Sequence, residues 1–207
     1  MKIFTTVTEG YTAEEIFELF PDKFENIEQW YLENFRTCDD LHEFYTDTLK
    51  SLFPDSTLDV QFSLAYCQGD GVNIYGDLFL TDFLKIWNVP EKFKKTMRFY
   101  LDNTYYRYYR FENNTRYCFS QKNSDNLYIN YFIDDFIDDL KNQAFKNINE
   151  NVIKMFFNDM INHFSELDKE FEANGYNYFY AVGDDDEIFE TCEINEYYFD
   201  ENGNIIY

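Results

Sequence analysis

The chain has only two histidines, three prolines and seven glycines, and each shortage excludes something. His42 and His163 both fall on helix-like stretches, with no Ser, Cys or Asp context that reads as a catalytic triad. Three prolines and seven glycines leave no room for a long flexible linker. The four cysteines, Cys38, Cys67, Cys118 and Cys192, form no C-x-x-C pair and lie at no ligand spacing from a histidine, so they read as reduced thiols of a cytoplasmic protein. No apolar run approaches the roughly 20 residues of a membrane span. The start, MKIFTTVTEGYTAEE, reads as neither a signal nor a transit peptide, which predicts a soluble, intracellular protein. G-x-S-x-G, Walker A and G-x-G-x-x-G motifs are missing; QGDGVNIYG has glycines at 69, 71 and 76 but no Lys-Ser/Thr to hold a phosphate. The largest deficit is of basic residues, with none after Lys169.

What is present is acid and aromatic. Forty Asp and Glu against 17 Lys and Arg give a net charge of −23, while 22% aromatic residues argue against disorder. Such a charge repels phosphate backbones and anionic membranes and favours basic partners. It is uneven: residues 1–120 carry 20 acidic and 12 basic side chains, residues 121–207 carry 20 and 5. At 207 residues the chain suits a single α+β domain, 1–207, with 175–207 as a candidate acidic C-terminal subdomain.

The most specific segment is LDVQFSLAYCQGDGVNIYGDLFL, residues 58–80. Val60, Phe62, Leu64 and Tyr66 alternate with Asp59, Gln61 and Ser63, and Val72, Ile74 and Leu78 continue apolar beyond Gln68-Gly69-Asp70-Gly71. This predicts a hairpin with one buried face. YYRYYRFENNTRYCFSQ, split by Asn113-Asn114, predicts a second, giving an antiparallel sheet of about four strands covered by helices. Thr12 and Glu15 form a capping box for a first helix with Ile16, Leu19 and Phe20 apolar, ended by Pro21. Helical periods follow from Phe24 to Phe35 and from Leu41 to Leu52, with a break near Thr37 to Asp40. Thr81-Asp82 caps a short helix through Trp87, and EKFKKTMRFYLD restarts the pattern. Two helices run from Asn126 to Asn147 and from Asn149 to Asn174, the second stopped by Gly175. A small acidic helix from Asp184 to Ile194 and a hairpin turning at Asn202-Gly203 end the chain.

Candidate chemistry sits mainly on the acidic stretches. In YFIDDFIDDL, Phe132, Ile133, Phe136, Ile137 and Leu140 bury one helix side and leave Asp134, Asp135, Asp138 and Asp139 on the other. Pairs four apart stand roughly 5 to 6 Å apart at Cβ, a spacing similar to successive phosphates on one nucleic-acid strand. Asp184, Asp185, Asp186, Glu187, Glu190 and Glu193 form a second run without compensating base. A bare stripe of like charge destabilises its helix, which favours a role in partner binding over solubility alone. These carboxylates fit no calcium loop, because Ile188, Phe189 and Asn195 replace required residues, and neither metal nor cofactor is expected. Arg107, Arg110 and Arg116, interleaved with Tyr106 and Tyr108, offer an alternative surface for stacking bases and touching phosphates, although the global charge opposes direct nucleic-acid binding.

FSLAYCQGDGVNIYG and the terminal NEYYFDENG together resemble a family of short phage and mobile-element proteins, some described as antitoxin-like. The carriers are Ser63, Tyr66, Gln68, Gly69, Asp70 and Gly71, then Asn195, Glu196, Tyr197, Phe199 and Gly203, about a tenth of the chain. The resemblance implies a mobile-element origin and carries over no catalytic residue. By analogy with acidic anti-CRISPR and anti-restriction proteins, it implies a non-enzymatic inhibitor of a basic nucleic-acid-binding host protein, acting in the host cytoplasm. The alternative is an antitoxin-like or single-strand-binding module using residues 105–116.

Overall fold

The computed structural model describes residues 10–66, 70–111, 125–143, 145, 147–181 and 184–206, with backbone alone for 125–128. Two compact units emerge, a terminal unit of residues 1–40 and 176–207 and a central unit of residues 41–175. The C-terminal stretch set apart by its acidity is therefore compact together with the first forty residues.

In the terminal unit, the capping box forms as its spacing predicts: Thr12 Oγ1 accepts from Glu15 N at 3.1 Å, and Glu15 Oε2 accepts from Thr12 N at 2.8 Å. It starts α1 (Ala13–Leu19), and Pro21 opens a 3-10 turn that leads into α2 (Phe24–Phe35). Leu19, expected on the apolar side, is 60% exposed, because Ala13, Ile16 and the C-cap Phe20 take the side that meets the core. Ala13 and Ile16 of α1 and Phe24, Ile27 and Tyr31 of α2 instead build a core with Ile188 and Cys192 of α8 (Asp185–Ile194) and with Phe199. Phe199 belongs to β4 (Tyr198–Phe199), which pairs antiparallel with β5 (Ile205–Ile206). The turn between them is the expected one. Asp200 Oδ1 accepts from Asn202 N and Asn204 N, both at 2.9 Å, and Gly203 has φ 77, where only glycine is unstrained.

The central unit is organised on the hairpin of β1 (Thr57–Ser63) and β2 (Gly71–Phe79), which pair antiparallel in the register Val60↔Ile74, both buried. The alternation runs one inward position shorter than expected: Leu64 is buried, whereas Tyr66 has φ 53 and is 69% exposed. β3 (Tyr108–Phe111) pairs antiparallel with the end of β2, Leu78 against Tyr109. The described sheet thus has three strands in the order β1-β2-β3, not four, and the chain beyond Asn113-Asn114 lies outside the described residues.

Helices cover this sheet. α3 (Cys38–Leu52) contributes Leu41, Tyr45 and Leu49, and Tyr45 stacks on Phe171 with ring centroids 4.4 Å apart. α3 begins at Cys38, inside the break predicted near Thr37 to Asp40, so only Arg36-Thr37 separate it from α2. α6 (Asp125–Asn142) ends five residues earlier than its period suggests. α7 (Glu150–Tyr180) runs straight through Gly175. That glycine was expected to stop the helix, but it is buried, and a Cβ there would stand 2.3 Å from Leu64 Cδ1 and 2.6 Å from the Tyr45 hydroxyl. Close approach, not chain termination, is why glycine occupies the site.

Thr81-Asp82 also departs from its reading. α4 (Leu80–Ile86) has no side-chain cap; Asp82 is wholly buried and turns back to bind residues 55 and 56. α5 (Glu91–Asp102) buries Met97, Tyr100 and Leu101.

Candidate acidic interface

α6 is amphipathic in the manner its sequence predicts. Ile133, Phe136, Ile137 and Leu140 are at most 3% exposed, which fixes the opposite side outward. Asp134, Asp135 and Asp138 are exposed, and Asp138 has one distant cation, Lys141 Nζ at 3.6 Å. Asp139 differs from its neighbours. Its Oδ2 accepts from Thr104 Oγ1 at 2.7 Å, Tyr105 N at 3.2 Å and Gln143 Nε2 at 3.1 Å, so it anchors the loop after α5. The outward row on α6 therefore has three carboxylates rather than four, and Lys141 pairs with one of them, Asp138.

The second acidic run divides in the same way. Asp184 is the N-cap of α8, its Oδ1 accepting from Asp186 N at 3.4 Å. Glu187 accepts from the Tyr31 hydroxyl at 3.0 Å and from Arg36 Nη2 at 2.9 Å, while the Arg36 guanidinium lies 5.0 Å from the Tyr178 ring and 5.4 Å from that of Tyr31. Asp185 is half-buried near Glu28, whose carboxyl is raised above its ordinary range by burial first and then by Asp185 and Glu25. Asp186, Glu190 and Glu193 remain as exposed carboxylates on α8.

Sequence order conceals how the charge is grouped. The terminal unit holds nineteen Asp and Glu against three Lys and Arg, a net of −16 of the chain's −23, whereas the central unit carries −7 on nearly twice as many residues. Of its described cations, Lys23 pairs with Asp22 at 3.3 Å and Arg36 with Glu187. No side chain with a free positive charge is therefore found among its described residues.

The alternative surface is divided between exposed and inward-packed side chains. Arg107, Tyr108 and Arg110 are exposed, with Arg110 Nε 3.8 Å from Asp77, and Tyr108 packs on Phe79. Tyr106 instead turns toward Phe132 and Phe136, and Tyr109 is buried. Arg116 lies outside the described residues.

The remaining candidates have structural occupations. Asp70 accepts from Ser63 Oγ at 3.0 Å and Ala65 N at 2.7 Å, tying together the turn it belongs to; Gln68 and Gly69 lie outside the described residues. One grouping had no sequence signal: His42 Nε2 stands 2.9 Å from Asp59 Oδ1, while Asp59 Oδ2 accepts from the Tyr75 hydroxyl at 2.8 Å. These residues come from α3, β1 and β2, and only strand register brings Asp59 opposite Tyr75. His163 Nε2 is buried without a hydrogen-bond partner among the described residues, and burial lowers the tendency of its ring to protonate. Among the described residues no group of three or more His, Cys, Asp or Glu is placed to hold a metal ion, and no helix is long and apolar enough to cross a membrane.

Cys38 and Cys192 are free thiols in opposite settings, one exposed and one in the core of the terminal unit. Burial pushes the Cys192 thiol up to about 11. Brief iodoacetamide treatment at pH 8 followed by peptide mapping is therefore expected to label Cys38 and spare Cys192 until the protein is denatured; equal labelling of both would contradict this burial.

No protein-family model, curated protein or solved structure matches the chain.

Proposed function

We propose that this protein is a non-enzymatic acidic inhibitor that occupies the basic nucleic-acid groove of a host defence protein, of the anti-CRISPR or anti-restriction kind. The observation that carries the reading is the net charge of −16 on the terminal unit, whose described cations are already paired with its own carboxylates. Its exposed Asp186, Glu190 and Glu193 sit on a helix anchored by buried Ile188 and Cys192, and Asp134, Asp135 and Asp138 sit on one anchored by four buried side chains. Helices held in this way present charge in fixed positions, which limits the ordering cost of binding. The mobile-element resemblance of the hairpin and the C-terminal motif suggests the class of target.

The test is capture of a basic nucleic-acid-binding protein from host extract on the immobilised chain, followed by affinity measurement on variants. Changing Asp134, Asp135 and Asp138 to Asn, with Asp186→Asn and Glu190→Gln, is expected to lower affinity about thirty-fold, each lost charge contributing some tenths of a kcal/mol at an exposed site. Unchanged affinity of this five-site variant would sink the proposal. Asp139 is kept, because it anchors its own loop.

A second reading rests on the outward rings and guanidinium groups around β3, where Tyr105 is 86% exposed and Tyr108 is 53% exposed, beside Arg107 and Arg110. A nucleic-acid-binding or antitoxin-like module would stack bases there. A gel shift with single-stranded RNA and DNA separates the two readings, since a charge mimic leaves both unretarded.

A further inference from the structure

The C-terminal end of α8 forms one wall of a cavity of about 290 Å³ within the terminal unit. Glu14 at the start of α1 lines it together with Glu193 and Glu196, and Phe189, Tyr197 and Tyr198 supply aromatic surface. Its size is at the lower end for a small-molecule site, so it suits one long side chain better than a nucleotide.

The charge around it is unfavourable as it stands. The last turn of α8 carries no Lys, Arg or His, although the negative end of a helix favours cations, and Glu193 and Glu196 lie at that end instead. The helix closes with Glu196 in the left-handed region at φ 56, Tyr197 N donating to Cys192 O at 2.9 Å and Glu196 N to Glu193 O at 3.1 Å. Glu14, Glu193 and Glu196 have no ion-pair partner among the described residues. An incoming cation would thus meet three carboxylates, a helix C-terminus and aromatic faces together.

We infer that this cavity is the socket for a single arginine or lysine side chain of the basic partner, an inference that rests on the proposed inhibitor function. The rest of the partner's basic surface lies against the surrounding acidic face, and the socket fixes the register of the two. Aromatic rings beside carboxylates distinguish it from the bare rows on α6 and α8, which attract charge without selecting its position.

The probe is a fluorescent octa-arginine peptide titrated by anisotropy at 150 mM NaCl. Glu193→Gln with Glu196→Gln is expected to weaken binding about ten-fold, whereas Glu18→Gln with Glu201→Gln, which removes the same charge away from the cavity, changes it no more than about two-fold. Tyr198→Leu leaves the charge intact and is expected to cost about five-fold; Tyr198 is 48% exposed, so folding tolerates the change. If the parent binds and the two double variants weaken equally, the socket is wrong while the acidic-inhibitor reading stands. If the parent does not bind octa-arginine at all, both fall.

Discussion

Replacing Gly76 with alanine is expected to destabilise the protein by about 3 kcal/mol, seen in urea as a lower midpoint with unchanged slope. Gly76 lies in the middle strand, opposite Leu58 of β1 and Phe111 of β3, with φ 111. A Cβ on that backbone would stand 2.2 Å from Thr57 O and 3.2 Å from Leu58 Cα. Both are backbone atoms of the paired strand, so no rotamer change can relieve the contact. The left-handed region costs an L-residue roughly 1–2 kcal/mol, and forcing the strands apart adds a similar amount. The sign is diagnostic, because alanine at a tolerant glycine site stabilises by about 0.4–1 kcal/mol through the unfolded chain. A midpoint equal to or above the parent's would contradict the close approach of β1 to Gly76.

The hairpin around Gly76 was the most legible part of the chain, for a physical reason. Period-2 alternation from Val60 to Leu64 and again through Val72, Ile74 and Leu78 requires only that one face be buried, and local sequence records that requirement directly. Capping at Thr12 and the turn at Asn202-Gly203 were legible because their hydrogen bonds close within a few residues. Gly175 misled because the reason for a glycine lay in side chains 111 and 130 positions earlier, Leu64 and Tyr45. Local sequence cannot distinguish a glycine that ends a helix from one that admits a neighbour.

The same limit governed the charge. Read along the chain, acidity increases toward the C-terminus; read in space, residues 1–40 join that tail, and the terminal unit holds most of the excess. Four adjacent-looking aspartates on α6 proved to be three outward carboxylates and one loop anchor, because Thr104 and Tyr105 reach Asp139 from 35 and 34 residues away.

Asp82 carries this distinction furthest, and Asp82→Ala is expected to cost about 3–4 kcal/mol. The side chain is wholly buried; Oδ2 accepts from Asp55 N at 2.8 Å and Ser56 Oγ at 2.9 Å, and Oδ1 from Lys85 Nζ at 2.8 Å. Ser56 Oγ in turn accepts from Phe79 N at 2.9 Å, so one carboxylate holds the entry to β1, the end of β2 and the first turn of α4. Hydrogen bonds from Lys85 to Asp82 and then Asp55 raise the lysine above its ordinary range. Alanine would leave the Asp55 amide, the Ser56 hydroxyl and Lys85 without this acceptor, and the desolvation cost of the orphaned donors dominates the loss. Asp82→Asn retains the shape and one acceptor oxygen, so about half the destabilisation is expected. Asp134→Ala, at an exposed position on α6, is expected to stay within about 0.5 kcal/mol of the parent. A urea series on the three variants tests the ordering. Equal destabilisation by Asp82→Ala and Asp134→Ala would mean that the division between carboxylates that hold the fold and carboxylates left free for a partner is wrong.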